Sequence, residues 1–329
     1  MPSSWIVALT LLLLGCSSAP APTAHPLLLV VNQGSQTLSF VDAATMTVST
    51  SIPMSPAPHE LALSDDGQTA YVSLYGDREV VGDSIAVIDV ATRRETGRLK
   101  LLDHKRPHGM AVRGDQLFVT SETSKAVLRL ERGTGAVTWT GSTGAAGSHM
   151  VAVSADATRL YTGNIGSDSV SVIDTGNGST ATASAQIPVG KGPEGIALSP
   201  DGSEVWAAHR GGGGVSVIDT RTGMVVATLF PEVVSARVAF SLDGRRVLLF
   251  DMPTGSTIVV DRTTRQELGR IAMSGMPGGG FIAPDNRTAF VSVYQPFSVT
   301  RIDLDTLKVT GRVETGIAPD GMALASFAP

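Results

Sequence analysis

Three of the six histidines in this chain occupy one recurring place. His59, His108 and His149 each follow a proline, or its replacement, at the head of a stretch reading P-polar-G-apolar-A-apolar-S. Later copies put Glu194, Ala236, Gly278 and Asp320 at that place. Neutral imidazoles with a carboxylate suit Zn, Fe, Cu or Ni. Three protein ligands with an open position are the pattern of a catalytic metal. His59, His108, His149, Glu194 and His209 are therefore the candidate metal ligands. Without a metal, His108 or His149 could act as a general base, with Glu194 orienting it or serving as the acid. Arg210 or Arg237 could then hold an anionic substrate. The plainer alternative is a polar place that the repeat itself demands, where a histidine bonds backbone or channel water. A metal-free binding face and a scaffold both remain open at this stage.

A second recurring place lies at the end of the following strand. It reads Asn32, Leu74, Ser121, Asn164, His209, Asp251 and Val293. Both places are expected at one rim of a central channel. Asn32, Asn164 and Asp251, with the neighbouring Glu122, Arg210, Arg237, Tyr294 and Asp320, are the expected ligand-binding residues. An insertion from Tyr75 to Asp83 is expected as a solvated loop, or a lid, on the same rim. Met54 and Met276 are placed in loops entering this face, where thioethers would suit copper.

These residues are far apart in sequence, so the elements between them must bring them together. Units starting near 27, 68, 116, 158, 203, 245 and 287 repeat a turn and three strands before each P-polar-G stretch. Turns such as Asp65-Asp66-Gly67 and Pro200-Asp201-Gly202 separate them. A period of this length marks a propeller or solenoid, and strand alternation within each unit selects the propeller. The expected fold is all-β, a seven-bladed propeller over residues 27–329. The chain ends on an innermost-strand pattern, Asp320-Gly321-Met322-Ala323, and begins on a second-strand pattern, Leu28-Leu29-Val30-Val31. The two are expected to share one blade and close the ring. The recurring acids of the V-I-D strands, Asp42, Asp89, Asp174, Asp219, Asp261 and Asp303, are read as turn formers, because a carboxylate there can accept backbone N–H groups. Trp139 and Trp206 are read as packing residues.

Composition narrows the partners. A formal charge of −5 and the absence of any basic run argue against nucleic acid. One cysteine excludes a disulfide framework. No phosphate loop, haem-attachment C-x-x-C-H or G-x-S-x-G elbow is present. Trp5 to Leu14 is apolar and too short to span a bilayer. Residues 1–15 are read as a signal peptide, and residues 16–26 as Cys16 followed by a proline-rich tether.

Leu13-Leu14-Gly15-Cys16 resembles a bacterial lipobox. That resemblance implies a lipid on Cys16 and a periplasm-facing lipoprotein, with the following Ser17 implying the outer membrane. An ordinary secretory signal with an incidental cysteine is the alternative. Tyr71-Val72-Ser73, Phe118-Val119-Thr120, Val217-Ile218-Asp219 and Gly192-Pro193-Glu194-Gly195-Ile196-Ala197-Leu198-Ser199-Pro200-Asp201-Gly202 resemble the YVTN-type propeller family. The resemblance implies fold across the mature chain and says little of function. The expectation is a monomeric envelope module that binds a small ligand or an envelope protein through this rim. The alternative is a metal-dependent or acid–base lyase, hydrolase or oxidoreductase at the same rim.

Overall fold

The computed structural model describes residue 1 and residues 26–325. The expected signal peptide beyond residue 1, Cys16 and most of the expected tether lie outside the described residues, as do the last four positions of the chain. Among the described residues there are seven sheets and no helix long and apolar enough to cross a membrane.

Each sheet is one blade, with its strands in sequence order from the inside outward. Blade 2 is Pro58–Leu63, Thr69–Gly76, Val81–Asp89 and Arg94–Lys100. Blades 3 to 7 begin with the innermost strands Pro107–Arg113, Ser148–Val153, Pro193–Leu198, Val238–Phe240 and Met276–Ile282. Blade 1 is composite. Its innermost strand is Pro319–Ala325, which pairs antiparallel with Leu27–Asn32, setting Ala325 opposite Leu27 and Ala323 opposite Leu29.

The turns between blades follow from two side chains. A serine closes each of four innermost strands and donates to an aspartate two residues on. Ser64–Asp66, Ser154–Asp156, Ser199–Asp201 and Ser241–Asp243 all measure 2.6 Å. The same aspartates accept backbone N–H groups from Gln68, Thr158, Ser203 and Arg245. Gly67, Gly202 and Gly244 then take positive φ, which a glycine adopts without steric cost. The V-I-D acids do likewise one turn later, as when Asp219 accepts from the Thr222 backbone at 2.7 Å.

Side chains alternate across each sheet, so both faces of a blade are apolar and each packs on a neighbour. Seven buried clusters among the described residues fill the blade interfaces. Trp206 and Val217 of blade 5 meet Leu249 and Ile258 of blade 6, and Phe118 of blade 3 meets Leu160 and Ile173 of blade 4. The last cluster sets Leu28 and Val41 of blade 1 against Phe290 and Val299 of blade 7. Trp139 and Trp206 are fully buried, as their strand positions suggested.

Two local features depart from the sequence reading. The insertion at residues 75–83 lengthens the blade 2 hairpin, with Gly76 paired to Val81, and leaves only a tight turn at its tip. Asp77 caps that turn by accepting the Glu79 and Val80 backbone N–H groups. Blade 3 gains a fifth, parallel strand, Thr180–Thr182, from the long connection in blade 4.

Candidate functional site

The innermost strands stand side by side around the channel, closer than side chains at every position would permit. A Cβ on Gly109 would meet the Met150 Cα at 2.7 Å, and one on Gly195 the Arg237 Cα at 2.5 Å. A Cβ on Gly321 would meet the Glu60 Cα at 2.8 Å. The glycine of the P-polar-G pattern is thus a close-approach residue. It lets the preceding polar residues of successive blades converge on the axis. His59, His149, Glu194, Ala236, Gly278 and Asp320 line one cavity of about 740 Å³ at this end of the channel.

His108 is fully buried between its two neighbours. Its ring centroid lies 3.5 Å from that of His149 and 4.0 Å from that of His59, while His59 and His149 are 6.3 Å apart. Neither ring nitrogen of His108 has a hydrogen-bond partner among the described residues. Nε2 of His149 is likewise without one. Burial pushes the His108 imidazole well below its ordinary value, and the neighbouring His149, His59 and Arg237 push it the same way. It is a neutral ring with lone-pair capacity and no bonding partner among the described residues.

The other ring nitrogen of His149 is fixed. Nδ1 lies 2.5 Å from Glu122 Oε1, and the Tyr75 hydroxyl donates to Glu122 Oε2 at 2.6 Å. Burial and the Glu122 carboxylate push the Tyr75 phenol up to about 12, so it stays a donor. Burial would raise the Glu122 carboxyl, but its bonds to His149 and Tyr75 outweigh that and hold it down. Glu122 thus accepts from both sides, and His149 turns Nε2 toward Glu194, 3.7 Å away.

A band of charge lies on the other side. Arg237 bonds Glu60, reaches Asp320 at 3.3 Å and Glu194 at 3.5 Å, and is itself buried. Arg210, half exposed, holds Glu194 at 2.9 Å. His59 Nδ1 is 3.2 Å from Asp320. Burial opposes protonation of His59, but Asp320 and Glu60 outweigh it and raise its pKa. Burial would raise the Glu60 carboxyl, yet Arg237 and His59 bring it down to about 2. The Tyr294 ring packs beside Gly278, and burial followed by Asp320 raises its phenol.

The second recurring place is displaced by one residue from the cavity. Asn32 bonds Thr37, Ser39 and the Gly316 backbone inside blade 1. Asn164 bonds Ser148, Thr162, Ser169 and Ser171 inside blade 4. Asp251 is held by Thr254, Arg270 and the Val234 backbone. His209 is used on both sides by backbone, Nδ1 on the Gly213 carbonyl and Nε2 on the Gly190 N–H, each at 3.2 Å. It stands outside the histidine cluster, and its tautomer is set by the loop it ties down. The residue after each of these reaches the channel instead. Gln33, Ile165, Arg210, Met252 and Tyr294 line the cavity, and Tyr75 and Glu122 meet the histidines. One residue along a strand reverses the side chain's face. Met276 also lines the cavity, whereas Met54 is buried in the core.

Glu60, which the sequence reading does not name, and Tyr75, named there only as the start of the insertion, complete the site. The signal for Glu60 is the glycine position of the repeat, which holds Glu60 in blade 2, Met150 in blade 4 and Arg237 in blade 6. The two charged exceptions, Glu60 and Arg237, are each other's partners. Among the described residues, two groups have ligand atoms close enough to share an ion: His59, Glu60 and His108, and His108, Glu122 and His149.

No family model and no curated protein matches the chain. Among solved structures, it is similar to Kuenenia stuttgartiensis hydrazine synthase at 21% identity and TM-score 0.67, over 81% of this chain and 89% of that one. It is also similar to a functionally unknown protein from Desulfotomaculum acetoxidans DSM 771, at 12% identity and TM-score 0.77, over 91% of this chain and 98% of that one. Likenesses at this identity establish a shared fold, the seven-bladed propeller.

Proposed function

We propose that this chain is a metal-binding propeller, in which His108, together with His59 or with His149, holds a divalent transition-metal ion at the mouth of the channel. The observation that carries this reading is His108, a fully buried imidazole with both nitrogens unpartnered among the described residues and two more imidazoles against it. Burying a polar ring without partners costs free energy, and a coordinated ion removes that cost. Imidazole donors suit Zn, Cu, Fe or Ni. Glu122 has the place of the carboxylate that orients a ligating histidine and raises its basicity.

The cavity beside His59 and His149 is where a small ligand would sit, with Arg210 and Tyr294 to hold an anionic group. On this reading the protein is a binding module. It would be a YVTN-type propeller, carried on a lipid at Cys16 and facing the periplasm from a bacterial envelope membrane. A second reading rests on the same cavity. An ion with room beside it can present an open position to a substrate, and the Glu122–His149 pair could move a proton there. Lyase, hydrolase and oxidoreductase chemistry all fit that description.

Elemental analysis by mass spectrometry tests the metal. The full chain would be purified without a polyhistidine tag or chelator, beside a His59→Ala/His108→Ala/His149→Ala variant. Near-stoichiometric metal that the folded variant loses supports the reading. Protein that remains metal-free after soaking in each of the four metals contradicts it.

A further inference from the structure

Resting on the metal-site reading, we propose that His108 bridges two metal ions, one on each side of its ring. His59 and Glu60 would complete one site, and His149, oriented by Glu122, the other. Three observations lead there. Both nitrogens of His108 are buried and unpartnered among the described residues. Two separate groups of ligand atoms are close enough to share an ion, and His108 belongs to both. No group among the described residues contains His59 together with His149, whose rings are 6.3 Å apart. The outer histidines each converge with His108 and not with each other.

A neutral imidazole has one lone pair and one N–H, so it can ligate one ion as it stands. Binding the second ion displaces the N–H proton to water, and the ring becomes an imidazolate with one lone pair for each ion. Neighbouring charge favours this. Glu60, Glu122, Glu194 and Asp320 surround the histidines, with Arg210 and Arg237 among them to offset part of their charge. A site this rich in carboxylates can receive two divalent cations where an apolar pocket would not.

The test is a Cu(II) titration of the full chain, read by elemental analysis and by electron paramagnetic resonance. The expected result is about two Cu(II) per chain, with the paired spins of copper ions joined through one ring in place of isolated-copper spectra. His59→Ala and His149→Ala should each keep about one uncoupled copper, since each retains one complete half of the site. These single variants keep the test open if His108→Ala fails to fold. One copper per wild-type chain overturns the bridge and leaves a mononuclear site standing. Two coppers with uncoupled spectra also overturn the bridge. No bound copper overturns both the bridge and the metal reading beneath it.

Discussion

Glu60 and Arg237 reach each other from blades 2 and 6, across the channel and 177 residues apart in sequence. Each stands at a position that is glycine in four of the seven copies of the repeat, so the pair takes the place of two close-approach residues with one ion pair. Both side chains are nearly buried. Breaking a buried pair strands a charge, which is costlier than never having the pair. Arg237→Ala should therefore lower the unfolding free energy by about 3 kcal/mol. The double variant Glu60→Gln/Arg237→Met should recover much of that loss. Denaturant titration of the three proteins checks this, and equal stability of wild type and Arg237→Ala would contradict it.

The same pair gives an acid dependence with a defined sign. The Glu60 carboxyl, ordinarily at 4.5, is brought down to about 2 in the fold. Its ionised form therefore stabilises the fold fully above the ordinary value, and that contribution fades as the pH falls from 4.5 through about 2. Glu60→Gln should show a shallower loss of stability over that window than wild type. Parallel curves would mean that Glu60 does not contribute.

Glu122 orients His149 without entering the cavity's open side. On the metal reading, Glu122→Gln should weaken metal retention by about 10–100-fold, as losses of such outer carboxylates do. Competition against a chelator of known affinity measures it. The thermal unfolding of the metal-free variant should stay close to wild type, which separates loss of orientation from loss of fold. Unchanged retention would remove Glu122 from the account.

Gly109 tests the spacing of the inner ring. Its Cβ would meet the Met150 Cα at 2.7 Å and the His149 carbonyl oxygen at 2.8 Å, both backbone atoms that cannot swing aside. Gly109→Ala should cost about 1–3 kcal/mol and should displace His149. Gly97, whose Cβ meets nothing within 4 Å, is the control position and should tolerate alanine. A Gly109→Ala protein as stable as Gly97→Ala would contradict the close-approach reading.

The fold was legible because four innermost strands close on the same serine–aspartate turn and the blades share the same alternation. Period and turn chemistry agree across these copies, and side-chain burial follows. The first ring of the site was legible for the same reason, since His59, His108, His149, Glu194 and Asp320 all depart from one repeat position. The second ring was read one residue early. A strand's period of two makes that error reverse the face, so Asn32, Asn164, His209 and Asp251 fall inside the blades while Gln33, Ile165, Arg210 and Met252 line the channel. Polarity misled here, because a buried asparagine that ties strands together looks like a rim residue in sequence. Glu60 was hidden by the glycine rule. It becomes visible only when the exceptions to that rule, and not just the variable positions, are collected.

Anomalous diffraction at the metal absorption edge tests the central claim most directly. Crystals of the metal-loaded full chain would be measured on either side of the edge. The account requires an anomalous peak in the channel within bonding distance of His108 and at least one of His59 and His149. A metal-loaded crystal with no peak there, or with its peak elsewhere on the protein, would contradict it.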